Sequence, residues 1–143
     1  MNRLLSALVA LGAIMNGVWM IGSPDTWYPS IPGVSETGPY NPHFVRDIGC
    51  AFFVAGLGFG WLAIGKRKHA WPAASAGAFF LMMHALVHLW DLVAGREHAQ
   101  RAYDDLPSIF LPSILAWMLV WLTGRTRLPR KHPIPLRQIH RIT

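Results

Sequence analysis

The stretch from Ile48 to Ile64, IGCAFFVAGLGFGWLAI, decides the fold because it runs without a single charged residue. At about 1.5 Å of rise per residue, a helix of about 17–25 residues crosses a bilayer core of about 30 Å. The stretch also lacks the alternation of apolar and polar residues that marks the strands of a membrane barrel. We therefore predict a transmembrane helix here.

Three further apolar runs have the same character, and the four together predict an all-α integral membrane four-helix bundle. Only Arg3 precedes the first run, and no small-x-small cleavage site precedes Ser23, so we expect a retained helix rather than a signal peptide. The last run is short unless Leu106 and Pro107 begin it. The predicted spans are residues 4–22, 44–65, 71–94 and 106–123, which form one domain over residues 1–123, followed by a basic tail over residues 124–143.

Composition supports this class of protein. The chain has 143 residues, of which 52% are hydrophobic and only 14% charged, and its mean hydropathy is +0.30. A typical soluble domain is about 25% charged, so an ordinary soluble enzyme and a disordered chain are both excluded. A single cysteine excludes an internal disulfide, a CxxC redox pair and a cysteine-based zinc finger.

The placement of charge predicts the orientation. All seven acidic residues fall on one predicted side, together with three of the basic residues. The other side carries the remaining basic residues, which are Arg3, Lys66, Arg67, Lys68, Arg125, Arg127, Arg130, Lys131, Arg137 and Arg141. The positive-inside rule then places both termini in the cytoplasm, and the membrane that we expect is a bacterial inner membrane. This sorting accounts for the pI near 10.3 without a nucleic-acid partner.

The connections differ in character. The loop from Gly22 to Pro42 is rich in proline, which opposes both helix and central strand, so we expect a compact cap over the outer end of the bundle. Small residues at Gly56-x3-Gly60 and Ala73-x3-Gly77 predict close helix packing. The basic tail is expected to be solvated, to lie on anionic lipid or to dock on a partner.

Two sets of ligand-type residues are each spaced i, i+4 and i+7, so each set lies on one helix face. The sets are His84, His88 and Asp91 in the third span and His43, Asp47 and Cys50 at the start of the second. The two spans run in opposite directions, which brings Asp47 and His88 to similar depth. We therefore expect the two stripes to face each other near the outer surface.

Ionisable residues inside a span cost about 2.5–3.5 kcal/mol each on insertion scales, so they mark a site by default. Paired imidazoles suit a transition metal, with carboxylates as ligands or as orienting groups. The candidate metal ligands are His84, His88, Asp91, Asp47 and His43. This donor set fits Zn, Cu or Fe; haem b, with His84 or His88 as axial ligand, is a second option, and a proton or ion relay is a third.

A structural polar network is the alternative to a cofactor site. Arg46 could pair with Asp91, and His88 could donate to a carboxylate. His84 could bond to Asn16 or to a backbone carbonyl. Such a network would fix the register of the helices and bind nothing.

The segment Asn41-Pro-His-Phe-Val-Arg-Asp-Ile-Gly49, followed by an Ala/Gly-rich span with Gly56-Leu-Gly58, resembles the second-helix entry of small bacterial four-span membrane proteins that share the plan of the DoxX-like families. The resemblance covers residues 1–123 and implies the four-helix plan. It implies no activity and no catalytic residue.

Two function hypotheses follow. In the first, the His/Asp cluster holds a metal or haem near the outer surface, and a redox-linked role is one form of this hypothesis. In the second, the chain is a small accessory subunit that packs against a larger membrane complex through its apolar faces and its basic tail. An enzyme that acts on a lipid or quinone, with Asp47 or Asp91 as the acid–base group, is a third reading.

Overall fold

The computed structural model describes residues 2–125, and this part of the chain is helical and contains no strand. Residues 126–143 of the predicted tail lie outside the described residues. The helices are α1 (Asn2–Gly22), α2 (Pro24–Ser30), α3 (Pro42–Ile64), α4 (Arg67–Val93), α5 (Gln100–Asp105) and α6 (Leu111–Arg125), with a 3-10 turn at Val34–Glu36 and a π-helical turn at Leu106–Phe110.

Four helical segments are long and apolar enough to cross a membrane, which confirms the predicted all-α class and the number of such helices. They are Arg3–Gly22, Pro42–Ile64, Arg67–Val93 and the continuous segment Gln100–Arg125. Their order is antiparallel, with α1 packed on α3, α3 on α4, and α4 on α6. We call the end of the bundle where α1 and α4 finish the cap end, and the opposite end the basic end.

Local sequence sets where these helices begin and end. At the start of α3, the Asn41 side chain accepts hydrogen bonds from the backbone N–H groups of His43 and Phe44, and Pro42 occupies the first turn. Both features are typical of a helix N-terminus. Beyond the end of α4, Gly95 has a φ of 69°, a left-handed conformation that favours glycine after a helix.

Small residues allow the helices to approach closely. A Cβ atom at Gly17 of α1 would lie 2.6 Å from the backbone oxygen of Gly49 in α3. A Cβ atom at Gly58 would lie 2.7 Å from the backbone oxygen of Ala73, and one at Gly77 would lie 3.0 Å from the backbone of Ala55. The α1–α3 and α3–α4 interfaces are therefore backbone-to-backbone contacts of the small-residue kind.

The core is narrow and rich in alanine. Phe59 and Leu119 are its largest fully buried side chains, and Ala70, Ala74 and Ala78 on α4 have no exposed surface. Large apolar side chains face outwards instead. Examples are Ile64, Leu4 and Val54, which are 84%, 67% and 65% exposed. Soluble monomers rarely expose large contiguous apolar patches, so this exterior suits a lipid environment.

The cap contains more helix than the proline content predicted. Pro24 occupies the first turn of α2, where its missing N–H leaves no helical bond unmade. Trp27 of α2 is buried against Met20 and Val45, and its Nε1 donates to Asn16 Oδ1 at 2.9 Å. The expectation of a non-helical loop is therefore wrong for Pro24–Ser30, while the cap does pack on the end of the bundle.

The fourth span begins earlier than the apolar run that predicted it. The helical segment starts at Gln100, although residues 100–105 are largely polar, and it passes through the π-helical turn, in which Leu111 N–H bonds to Leu106 O. Pro112 has no N–H to donate, which weakens the regular ladder at this point. The early start brings Asp105 into the bundle.

Candidate functional site

The site is built around two imidazoles on α4. His84 and His88 lie one helical turn apart, and their ring centroids are 4.8 Å apart with the planes at 68°. Their spacing alone predicts that they share a face, and the structure places them side by side in the half of the bundle nearer the cap end.

Asp105 is the carboxylate of this site, and the sequence analysis did not select it. His88 Nδ1 lies 2.8 Å from Asp105 Oδ2, and the whole Asp105 residue is only 7% exposed. With Asp105 as a carboxylate, which only accepts, the proton of this bond belongs to Nδ1, and in the neutral form of the ring Nε2 then has a lone pair available for another group. The signal in the sequence was the position of Asp105 directly before the fourth apolar run, at the same end as His88.

His84 has a different environment. Its ring packs edge-on against Phe52, with centroids 5.4 Å apart, and nearly parallel to Phe80 at 6.2 Å. Within residues 2–125 it has no hydrogen-bond partner, and the same residues contain no buried side-chain nitrogen or oxygen that lacks one. His84 is half-buried, and its ring nitrogens are without a partner but not fully enclosed by the described chain.

The other predicted ligands form separate pairs. Asp91 accepts a hydrogen bond from Arg96 Nη1 at 2.8 Å, so Arg96 takes the place that we considered for Arg46. His43 Nε2 lies 3.4 Å from Asp47 Oδ2, and these side chains are 86% and 60% exposed. The structure thus brings together His84 and His88, and it leaves Asp91, Asp47 and His43 outside that cluster.

Arg46 and Cys50 also lie away from the cluster. Arg46 Nε donates to the backbone oxygen of Ile21 at 3.3 Å, which places a cation at the C-terminus of α1. Cys50 is exposed, and it lines a shallow apolar groove of about 370 Å³ between α3 and α4. The face predicted for His43, Asp47 and Cys50 is therefore an exterior face of α3.

The donor set for a metal is correspondingly small. Among residues 2–125, no group of three or more His, Cys, Asp or Glu side chains is placed to hold a metal ion. The imidazoles of His84 and His88 are the two nitrogen donors that this part of the chain offers at the site. Asp105 stands behind His88 as the orienting group that metal-bound histidines commonly have.

The polar cluster belongs to one half of the bundle. Towards the basic end, the space next to His84 is filled by Phe52 and Phe80, whose rings meet edge-to-face at 5.1 Å. Beyond them lies the apolar core around Phe59 and Leu119. His84, His88 and Asp105 thus form a polar cluster near the cap end, and apolar side chains lie between it and the basic end of the described bundle.

Comparison of the chain with protein-family models, with curated proteins and with solved structures gave no match in any of the three. The resemblance to the DoxX-like families stays a prediction, and the function of the site is argued from its geometry.

Proposed function

We propose that this chain is a multi-pass protein of a bacterial inner membrane, with the basic end at the cytoplasmic face. Four apolar helices and an apolar exterior support insertion. All seven acidic residues of the chain lie towards the cap end, whereas the basic end carries Arg3, Arg125 and the run from Lys66 to Lys68. The excess of Lys and Arg at that end favours the cytoplasmic side for it.

Cysteine labelling in intact cells tests this orientation. Cys50 is the only cysteine and is replaced by alanine, after which Ser35→Cys in the cap and Lys68→Cys at the basic end provide matched exposed positions. A membrane-impermeant maleimide should label position 35 in intact cells and position 68 only after permeabilisation. The reverse pattern would invert the proposed topology.

We further propose that His84 and His88 bind a transition-metal ion, or that one of them is an axial ligand of haem iron, in a site that is redox-linked. The observation that carries this proposal is an imidazole, His84, without a hydrogen-bond partner in the described chain, beside a second imidazole whose Nδ1 is held by Asp105. Polar side chains within a span have a high free-energy cost of insertion, so a histidine there without a hydrogen-bond partner favours a bound ligand. Two nitrogen donors fit Cu, Zn or Fe, with further positions left for other ligands.

Elemental analysis and an absorption spectrum of gently purified protein test the cofactor site. We expect a stoichiometric metal or a haem band that is lost when His84→Ala and His88→Ala are combined. Asp105→Asn should weaken binding by about 10–100-fold, the range for an orienting partner of a ligand. The matched control combines His43→Ala with Asp47→Asn, which removes an exposed His/Asp pair and should leave the cofactor in place.

As a second function we propose an accessory subunit in a larger membrane complex, in which the His/Asp cluster is a structural polar network. Each buried side-chain nitrogen or oxygen within residues 2–125 has a partner, and no three-ligand group occurs there. On this proposal the His88–Asp105 bond joins α4 to the start of the fourth span and fixes their register. Two results would favour this function over the first. The purified protein would be metal-free and colourless and would co-purify with a larger assembly. Deletion of residues 125–143 would then abolish that co-purification.

A further inference from the structure

The position of Asp105 depends on the beginning of the fourth helical segment. α5 forms the first six residues of the continuous segment Gln100–Arg125, and Ala99 before it provides no side-chain cap. Because uncapped helix ends fray, contacts with the rest of the chain are needed to hold these first turns in place. Arg101 and Asp105 lie one turn apart on α5, and Asp105 makes the contact with His88.

Arg101 makes the contact at the other end of α5. Its side chain is only 11% exposed, and its Nε donates to Glu97 Oε2 at 2.7 Å. Its Nη2 donates to Oε2 of Glu36, which belongs to the 3-10 turn of the cap, at 2.8 Å. One guanidinium therefore joins α5 to the chain segment before it and to the cap.

The backbone of the cap is shaped around this guanidinium. Gly33 has a φ of 79°, and a Cβ atom there would lie 1.2 Å from Arg101 Nη1 and 1.5 Å from Cζ. No side chain at position 33 is compatible with the observed place of Arg101. Gly33 and Glu36 thus provide two separate features of the cap that accommodate the same side chain.

We propose that Arg101 is a positioning residue for the His84–His88–Asp105 site. By holding α5 against the cap, it keeps Asp105 within hydrogen-bond distance of His88, so the cap and the site are coupled through the first turns of the fourth helical segment. The importance of this coupling rests on the proposed ligand role of His84 and His88, whereas the coupling itself is a property of the chain without any ligand.

The His88 Nδ1 proton reports the coupling directly. In the metal-free full-length protein with isotope-labelled histidine, NMR should show a downfield imidazole proton that His88→Ala and Asp105→Asn remove. We expect Arg101→Gln and Gly33→Ala each to speed its exchange with water by about tenfold or more, which corresponds to about 1.4 kcal/mol. Glu36→Gln should speed it by a smaller factor of about two to five, because Glu36 is 69% exposed and the amide oxygen can still accept from Arg101. Arg101→Lys should have a smaller effect than Arg101→Gln, because it retains the positive charge.

The matched control is Arg96→Gln, which breaks the more exposed Arg96–Asp91 pair in the same connection and should leave the proton unchanged. If Arg101→Gln fails to fold, the cap variants Glu36→Gln and Gly33→Ala still test the coupling. Glu36 is 69% exposed, so its replacement should not disturb the core. Unchanged exchange in Glu36→Gln and Gly33→Ala would overturn the proposal. The absence of a cofactor together with faster exchange would refute the cofactor function and leave the coupling standing.

Discussion

Asp104 and Asp105 are neighbours in the sequence, and the structure gives them opposite surroundings. Asp104 is exposed, whereas Asp105 is buried with its carboxylate on His88. Charge and hydropathy are identical at the two positions. What distinguishes them is the direction in which α5 turns each side chain.

We predict that Asp105→Ala lowers the stability of the protein by about 1–3 kcal/mol, because it leaves His88 Nδ1–H without its partner. Asp104→Ala should change stability by no more than about 0.5 kcal/mol, as is usual for a surface substitution. Thermal unfolding of the two variants in the same detergent checks this. Equal losses would mean that the His88–Asp105 bond contributes nothing specific to folding.

The site shows how far residue-level prediction reaches. That His84 and His88 share a face follows from the geometry of one helix, so the sequence was sufficient. Asp105 was missed because its contact requires the fourth helical segment to begin within a polar stretch and α5 to pack on α4. Asp91, at i+7 from His84, has the right spacing, but Arg96 lies close enough in the following turn to pair with it.

At the scale of helices, the glycines of α1 fall into two kinds. A Cβ atom at Gly17 would lie 2.6 Å from Gly49 O and 2.7 Å from Phe53 N, both of which are backbone atoms of α3. At Gly12 a Cβ atom would meet nothing within 4 Å. Position 17 therefore fixes the distance between two helices, and position 12 does not.

We predict that Gly17→Ala destabilises the bundle by about 1–3 kcal/mol, since the two backbones must separate to accept the methyl group. Gly12→Ala should stabilise it by up to about 1 kcal/mol, through the higher helix propensity of alanine. Unfolding midpoints of the two variants in detergent provide the measurement. A similar change in both would show that α1 and α3 are not packed as described.

Helix positions followed from the sequence more readily than helix ends. The apolar runs mark three of the four spans, because an apolar helix needs only length to be recognised. The cap and the start of the fourth segment depended on proline and polar stretches, where Pro24 begins a helix and Gln100 extends one. Prolines oppose helix interiors but not first turns, so composition alone underestimated helix here.

At the scale of the whole bundle, the most consequential feature of residues 2–125 is that large apolar side chains cover the exterior of the long helices, whereas alanine makes up much of the interior. Val54 lies near the middle of α3 and is 65% exposed. In a soluble protein, such a position would accept a charged residue at little cost. In a bilayer, it faces hydrocarbon.

We predict that Val54→Lys sharply reduces the amount of protein recovered in the membrane fraction, because a lysine at the centre of a span costs about 2.5–3.5 kcal/mol on insertion. Ser35→Lys, an exposed position in the cap, should be recovered like the parent protein. Quantitative blotting of membrane fractions compares the recovery of the two variants with that of the parent protein. Normal recovery of Val54→Lys would argue against insertion of α3.

The depth of His84 along α4 has an electrical consequence. The helix rises about 13 Å between His84 and Val93, which is about a third of its full rise of about 40 Å. In the proposed orientation, a cation that reaches His84 from the cap end therefore crosses about a third of the membrane potential. At 100 mV, negative inside, this adds about 0.8 kcal/mol per charge, or roughly fourfold in affinity, so an energised cell would fill this site more readily than a detergent solution does.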